Sequence, residues 1–294
     1  MNLFPVLLED DDLLVLHKPA GLVCHPTKGD EFSSLVSRLR LYLGLESEPQ
    51  LVHRLDRETS GVMVVAKNPE AALELRRLWQ TGFVTKEYLA LVHGAVEADS
   101  GLVDLPLGKD EASIIAIRDT PRPDGHPART RWWCVRRFER TEGVFSLLRI
   151  HLDTGRKHQI RIHMGAIGHP LVGDKLYGLD EGFYLDFVKR RLTEAQRQRL
   201  ILPQQGLHAV RLWLPWGGEE REFRSEPEAP FLEFLAGRPV VWGEGTTLGR
   251  RPRRPPRPPR PPSSAAPRRC ESPRPLLCRP FRTRFASTPP ADRA

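Results

Sequence analysis

The stretch Leu51-Val-His-Arg-Leu-Asp-Arg-Glu-Thr-Ser-Gly-Val-Met-Val-Val-Ala-Lys67 decides how the rest of the chain is read. It opens on an apolar pair, sets His53, Arg54, Asp56, Arg57 and Glu58 within six positions, and turns at Ser60-Gly61. Val62-Met-Val-Val-Ala66 follows, apolar and rich in β-branched side chains, which predicts a buried strand. A carboxylate between two arginines, beside a strand entering the core, is a setting in which an Asp stays ionised while partly desolvated. Asp56 is therefore a candidate nucleophile or base. The same spacing also suits a plain charged loop in which Asp56 caps a turn and pairs with an arginine.

The chain has 294 residues, room for one large or two ordinary domains. With 39% hydrophobic and 28% charged residues it reads as globular. No apolar run approaches the ~20 residues that cross a bilayer. The start, Met1 to Asp12, lacks a basic segment and turns acidic at once, unlike a secretory leader. Cys24, Cys134, Cys270 and Cys278 are scattered without a Cys-x-x-Cys pair, which favours neither a disulfide framework nor a zinc site and predicts a reducing, cytoplasmic setting.

The net charge of +8 is unevenly spread. Residues 249–294 hold thirteen arginines, no lysine and two acids (Glu271, Asp292), a balance of +11, while the first 248 carry 32 basic and 35 acidic side chains, or −3. Composition thus divides the chain into a body, 1–248, and an Arg/Pro-rich tail, 249–294. The tail has too little apolar surface to fold by burial and is expected to be disordered. Attraction for a polyanion must come from a local patch or from this tail.

Along the body, Leu13 to His17 predicts a strand, followed by a Pro19–Gly21 turn and a second short strand. Apolar residues at 32, 35, 36, 39 and 43 have helical period, with Ser33 and Ser34 as caps. Asn68 to Gly82 is a stronger helix: Asn68 caps, Pro69 takes the first position, acids come early, arginines late, and Gly82 ends it. Trp79 on it is a core candidate. Val84 to His93 alternates as a strand. Arg129-Thr-Arg-Trp-Trp-Cys-Val-Arg-Arg137 mixes rings and bases, as surfaces for single-stranded nucleic acid do, and equally as an edge strand with one buried Trp does. Phe145 to Leu152 predicts a strand, and a helix bearing Ile160, Ile162 and Met164 ends at Gly168. Arg156, Lys157, His158, Arg161 and His163 gather at its start, where backbone amides and arginine forks suit an anion. His158, His163 and His169 lack a carboxylate or Cys at ligand spacing, which disfavours a metal site. Residues 179–204 are charged and helix-prone. Leu207 to Leu214 predicts a strand, with a short helix at Pro230–Leu235 and a strand at Pro239–Trp242 closing the body.

Four stretches resemble the motifs of the RluA-type pseudouridine synthases. His53-Arg-Leu-Asp-Arg-Glu-Thr-Ser-Gly61 is similar to the central motif of that family, with all seven fixed positions present. Lys86-x-Tyr-x-Ala-Leu-Val92 resembles the second, and Thr154-Gly-Arg-Lys-His-Gln-Ile-Arg-Ile-His163, followed by Gly168-His-Pro-Leu-Val-Gly-Asp-Lys-Leu-Tyr-Gly178, the third. Lys18-Pro-Ala-Gly-Leu with His25-Pro26 is similar to the first motif, except that His17 stands where Asn is usual. The likeness runs over roughly residues 7–240, with no S4-type RNA-binding domain ahead of it.

The resemblance implies an α+β body: a largely antiparallel central sheet with flanking helices and one catalytic cleft. It implies an isomerase acting on ribosomal or transfer RNA as a monomer, with Asp56 as catalytic aspartate, Arg161 as its counter-charge and Tyr88 against the target base. His53, Arg54, Arg156, Lys157 and His158 are expected RNA contacts. The reaction involves neither redox change nor energy input, so no cofactor is expected, and no metal. An N-glycoside hydrolase would instead need a second carboxylate, for which Asp174 is the candidate. An RNA-binding protein without activity would need neither Asp56 nor Arg161.

The tail's charge makes a first prediction. Removing residues 249–294 should leave the body folded and active on a short RNA while weakening RNA affinity and its salt dependence. Binding titrations across a salt series check this, and an unchanged slope removes the tail from binding.

Overall fold

A computed structural model of the chain describes residues 3–26 and 34–242. The tail at 249–294, and the caps and helix start placed at residues 32 and 33, lie outside these. In chain order the elements are β1 (Val6–Glu9), β2 (Leu13–Lys18), α1 (Leu35–Leu43), β3 (Gln50–Leu51), β4 (Ser60–Ala66) and α2 (Pro69–Gln80). Then come β5 (Thr85–His93), β6 (Ser100–Asp104), β7 (Leu107–Lys109), β8 (Asp119–Pro121), β9 (Arg129–Arg140), β10 (Gly143–Leu152) and α3 (Gln159–Ala166). The chain continues through α4 (Gly182–Val188), α5 (Glu194–Leu200), β11 (Leu207–Trp216), β12 (Glu219–Arg224) and α6 (Ala229–Leu235).

The main sheet runs β1-β2-β4-β11-β5-β10-β9-β6, with β3 on β4 and β12 on β11, and β7-β8 form a separate hairpin. Among the described residues β4 and β11 are its only parallel neighbours, so the expected α+β class with a largely antiparallel sheet holds.

Every residue of β4 is buried, because helices cover both faces of the sheet there. Val62, Val64 and Ala66 pack with Ala71, Ala72, Leu75 and Leu78 of α2. Met63 and Val65 face the other way, toward Leu35 and Leu39 of α1 and Ile160 and Met164 of α3. Each such side chain contributes roughly 1.5–3 kcal/mol of transfer free energy. Asn68 caps α2 as expected, its Oδ1 accepting from Ala71 N at 2.8 Å. Ser34 Oγ accepts from Ser37 N to cap α1.

Two expected strands do not form, and β9 is not an edge. The backbone at 22–26 carries no strand: the carbonyls of Val23 and Cys24 accept from Leu35 N and Val36 N and are spent on the first turn of α1. Residues 239–242 are irregular as well, with the carbonyl of Arg238 taken by the Arg140 guanidinium at 3.2 Å. β9 lies between β10 and β6. Trp132 on it is buried, whereas Trp133 is half-buried with the Arg149 guanidinium 5.3 Å above its ring.

Two histidines hold β4 in place. His53 Nε2 accepts from Val64 N at 3.0 Å, and its ring stacks on Trp79 of α2 at 4.8 Å. His208 Nδ1 lies 2.8 Å from Ser60 Oγ, and its Nε2 2.8 Å from the Ser225 carbonyl. Burial pushes His53 down to about 3 and His208 down to about 4.

Gly61 lets β11 approach β4. Its φ is +122°, and a Cβ there would meet Ala209 O at 2.3 Å and Ala209 N at 2.6 Å. Gly61→Ala should therefore cost about 2–5 kcal/mol, strain and strand displacement together. Gly82→Ala, with φ +77° and open space around it, should cost only about 1 kcal/mol. Urea midpoints of the two variants separate these effects, and equal losses would show that the close approach is unimportant.

The histidines set a pH dependence. Both are neutral in the fold and would take a proton at 6.5 when unfolded, so their contribution is complete above that value. As pH falls from 6.5 toward 4 the unfolded chain binds at least two protons that the native chain refuses, and stability should drop. Urea midpoints flat across that window would contradict the neutral, buried state of these rings.

Candidate active site

The loop between β3 and β4 delivers Asp56 to the sheet beside β5. Gly61 pairs with Ala209, Ala209 with Tyr88, and Tyr88 with Ile150, so one rung across four strands brings Tyr88 level with the start of β4. The loop itself is tied down at several points. Lys18, fully buried, donates to the carbonyls of Pro19, Leu22 and Arg57 at 2.9, 2.8 and 3.1 Å, and burial lowers its pKa to about 8. Glu58 pairs with buried Lys175 at 2.9 Å, and Gln205 Nε2 donates to Thr59 Oγ1 at 2.6 Å.

α3 delivers Arg161, whose guanidinium is gripped on two sides. Its Nε and Nη2 donate to the two oxygens of Asp174 at 2.6 and 2.8 Å, and its Nη1 donates to Asp56 Oδ2 at 3.0 Å. Asp174 is fully buried, and its Oδ1 also accepts from Leu176 N and Tyr177 N at 2.8 and 3.0 Å. The Tyr177 ring lies 4.9 Å from the Arg161 guanidinium carbon. Tyr177 Oη accepts from Asp119 N at 3.0 Å and meets His158 Nδ1 at 2.9 Å.

These contacts decide the charges. Burial favours the protonated form of Asp56, but His158 and Arg161 outweigh it and hold the carboxyl below its ordinary value. Burial also lowers His158 to about 4, so at neutral pH Arg161 is the cation that keeps Asp56 ionised. Asp174 reaches about 2 despite burial, through Arg161 and two backbone amides. Tyr88 is raised by burial and then by the Asp56 charge, so it stands beside Asp56 as a neutral phenol.

Asp56, Tyr88, Arg161, Arg54, Arg156 and His158 all line one open cleft. Lys157 sits at the rim in an ion pair with Asp119 at 2.9 Å. His53 is not brought to the cleft, because its ring turns under Trp79. At the start of α3, Arg161 is engaged by two carboxylates of the chain itself, and Arg156 Nε donates to the Pro127 carbonyl. The three histidines of that region do not converge: His158 meets Tyr177, His163 meets Thr130 and the Leu105 carbonyl, and His169 meets the His93 carbonyl.

Sequence reasoning missed Asp174 as the partner of Arg161, and gave Tyr177 and Lys18, though inside quoted motifs, no role of their own. The signal for the first two was Gly173-Asp-Lys-Leu-Tyr-Gly178, where an Asp accepting amides two and three residues on makes a turn that keeps its second oxygen free for a guanidinium.

Residues 12–166 match the family model of RNA pseudouridylate synthases. The chain is 41% identical over 219 residues to the ribosomal large subunit pseudouridine synthase D of Nitrosomonas europaea, covering 71% of this chain and 57% of that one. It is 39% identical over 239 residues to an uncharacterised RNA pseudouridine synthase of Bacillus subtilis, covering 79% of this chain and 70% of the other. The solved structure of human RNA pseudouridylate synthase domain containing 1 is similar at a TM-score of 0.62 and 25% identity, covering 82% of this chain and 91% of that one. The chain spans just over half the length of several curated relatives, 55% of one from Aquifex aeolicus among them. The family-model match covers more than half the chain and takes in Asp56, Tyr88 and Arg161, and the chain belongs to the RNA pseudouridylate synthase family.

Proposed function

We propose that residues 1–248 form a catalytic domain that isomerises specific uridines of ribosomal or transfer RNA to pseudouridine, with Asp56 as the reacting group. The observation that carries this reading is the Asp56 carboxylate, held ionised by Arg161 beside Tyr88 in one cleft. The target uridine leaves its stack, at a cost of a few kcal/mol, and enters that cleft. Asp56 acts on the sugar, either by adding to C1′ or by taking the C2′ proton. The C1′–N1 bond breaks, the base turns, a C1′–C5 bond forms, C5 gives up its proton and N1 gains one. Tyr88 packs on the uracil, and any part it takes in accepting the C5 proton is through the lone pair of a neutral hydroxyl. Arg54, exposed at the cleft, fills the gap or holds the RNA backbone, and Arg156 and His158 line the wall beside it. The chemistry calls for no cofactor, and the setting we propose is a cytoplasmic monomer. No described helix is long and apolar enough to cross a membrane.

Hydrolysis of an N-glycoside is disfavoured by Asp174. Both of its oxygens are filled by Arg161 and backbone amides, which leaves no second carboxylate among the described residues lining the cleft to place a water.

Asp56→Asn should fold, bind RNA and lose at least roughly 10³-fold in turnover, since it keeps the shape but removes the charge and the reacting oxygen. Nucleoside analysis of treated ribosomal and transfer RNA transcripts checks this, and pseudouridine formed near the parent rate would move the mechanism to another group. Arg161→Ala should lose activity and also about 3–5 kcal/mol of stability, because it leaves Asp174 buried and unpaired. Denaturant titration distinguishes the two variants.

A further inference from the structure

Most cations around the cleft are already engaged. Arg156 Nε donates to the Pro127 carbonyl at 3.0 Å, Lys157 pairs with Asp119, Arg129 with Asp104, and Arg131 with Asp153. Lys86 differs. It is half-buried on β5, two residues before Tyr88, and alternation along a strand puts both side chains on one face. His151 pairs with Glu87, so the next residue of β10, the cleft-lining Leu152, comes abreast of Lys86. Lys86 Nζ lies 3.8 Å from the position a Cβ on Gly155 would take, and Gly155 adjoins Arg156 on the cleft wall.

Among the described residues no carboxylate or carbonyl engages this ammonium, and the one ring that feels its charge is the buried, neutral His53, which gives it no counter-charge. Burial lowers its pKa, and no neighbouring anion raises it again. An ammonium held in that way is destabilising until an anion reaches it. Two residues of strand span about 6.6 Å, so Lys86 leaves β5 about one nucleotide's spacing from Tyr88.

We propose that Lys86 is a phosphate-binding residue, its ammonium holding the phosphodiester beside the uridine whose base rests on Tyr88. This rests on the pseudouridine synthase reading, because the nucleotide placed there is the one that reading supplies. Arg54, which also makes no ion pair or hydrogen bond through its guanidinium among the described residues, lines the same cleft and would meet the backbone further along.

The test compares Lys86→Met and Lys86→Arg with the parent. Tritium release from C5 of labelled uridine, in transcripts of large-subunit ribosomal RNA and of transfer RNA, is followed under single-turnover conditions across a salt series. For Lys86→Met the half-saturating enzyme concentration should rise on the order of tenfold. Its dependence on log salt should fall by about 0.7, the loss of one phosphate contact on a single strand. The saturated rate should change far less, Lys86→Arg should retain most of the affinity, and the thermal midpoint of Lys86→Met should hold or rise. An unchanged half-saturation and salt slope in Lys86→Met, with an active parent, would overturn the assignment. A fall in its thermal midpoint would make Lys86 a structural residue and overturn it too. A parent inactive on both transcripts would remove the functional reading and this role with it.

Discussion

Arg161 joined to Asp174 is the interaction on which the site depends. A buried ion pair seldom stabilises a fold on balance, because desolvation of both charges consumes the attraction. Here the geometry offsets that cost: two parallel N–H bonds at 2.6 and 2.8 Å, with the same carboxylate accepting two backbone amides. What the pair provides is direction. A guanidinium fixed along one edge by Asp174 and covered by the Tyr177 ring has one remaining nitrogen free to point, and it points at Asp56. The orientation of the Asp56 carboxylate is thus set from the turn at 174–177 rather than from its own loop.

The loop carrying Asp56 is restrained from the other side by carbonyl and hydroxyl contacts. Lys18 draws three carbonyls of two segments onto one ammonium. Ser60 is linked through His208 to Ser225, and Ser225 Oγ lies 2.5 Å from His17 Nδ1, whose ring reaches Glu228 at 3.3 Å. His17, the departure from the expected Asn, therefore connects β2 to the segment leading into α6. The cleft is bounded by segments tied to one another, which suits the proposed chemistry, in which a base is turned and reattached in place.

Much of this was legible in the sequence, for reasons tied to particular residues. β4 is buried on both faces, so its apolar run stands out, and α2 carries both an Asn cap and a Pro at its first position. Asp56, Tyr88 and Arg161 sit in dense strings whose likeness to a family placed them together before any geometry was known. What was not legible is equally specific. β12 is Glu-Glu-Arg-Glu-Phe-Arg, where only Phe223 is buried, and the strands β7 and β8 have three residues each, too few to show a period. The inward turn of His53 depends on Trp79, twenty-six positions on, and no local pattern encodes it. Asp174 was read as a spare acid because nothing in its neighbours shows that an arginine thirteen residues earlier would fill it.

The position of β11 has a consequence for how the molecule is made. β4 and β5 follow each other closely in sequence, yet the sheet separates them with a strand drawn from residues 207–216. A chain emerging from the ribosome therefore carries two unpaired inner edges, one of them on a β4 that is buried along its whole length in the fold, until more than two-thirds of it has been synthesised. Its defining pairing is among the longest-range contacts it makes, which places closure of the cleft late and makes folding slow relative to local helix formation. Fragments ending before residue 207 would hold Asp56, Tyr88, Arg161 and Asp174 in one chain, and still carry them beside open strands prone to associate.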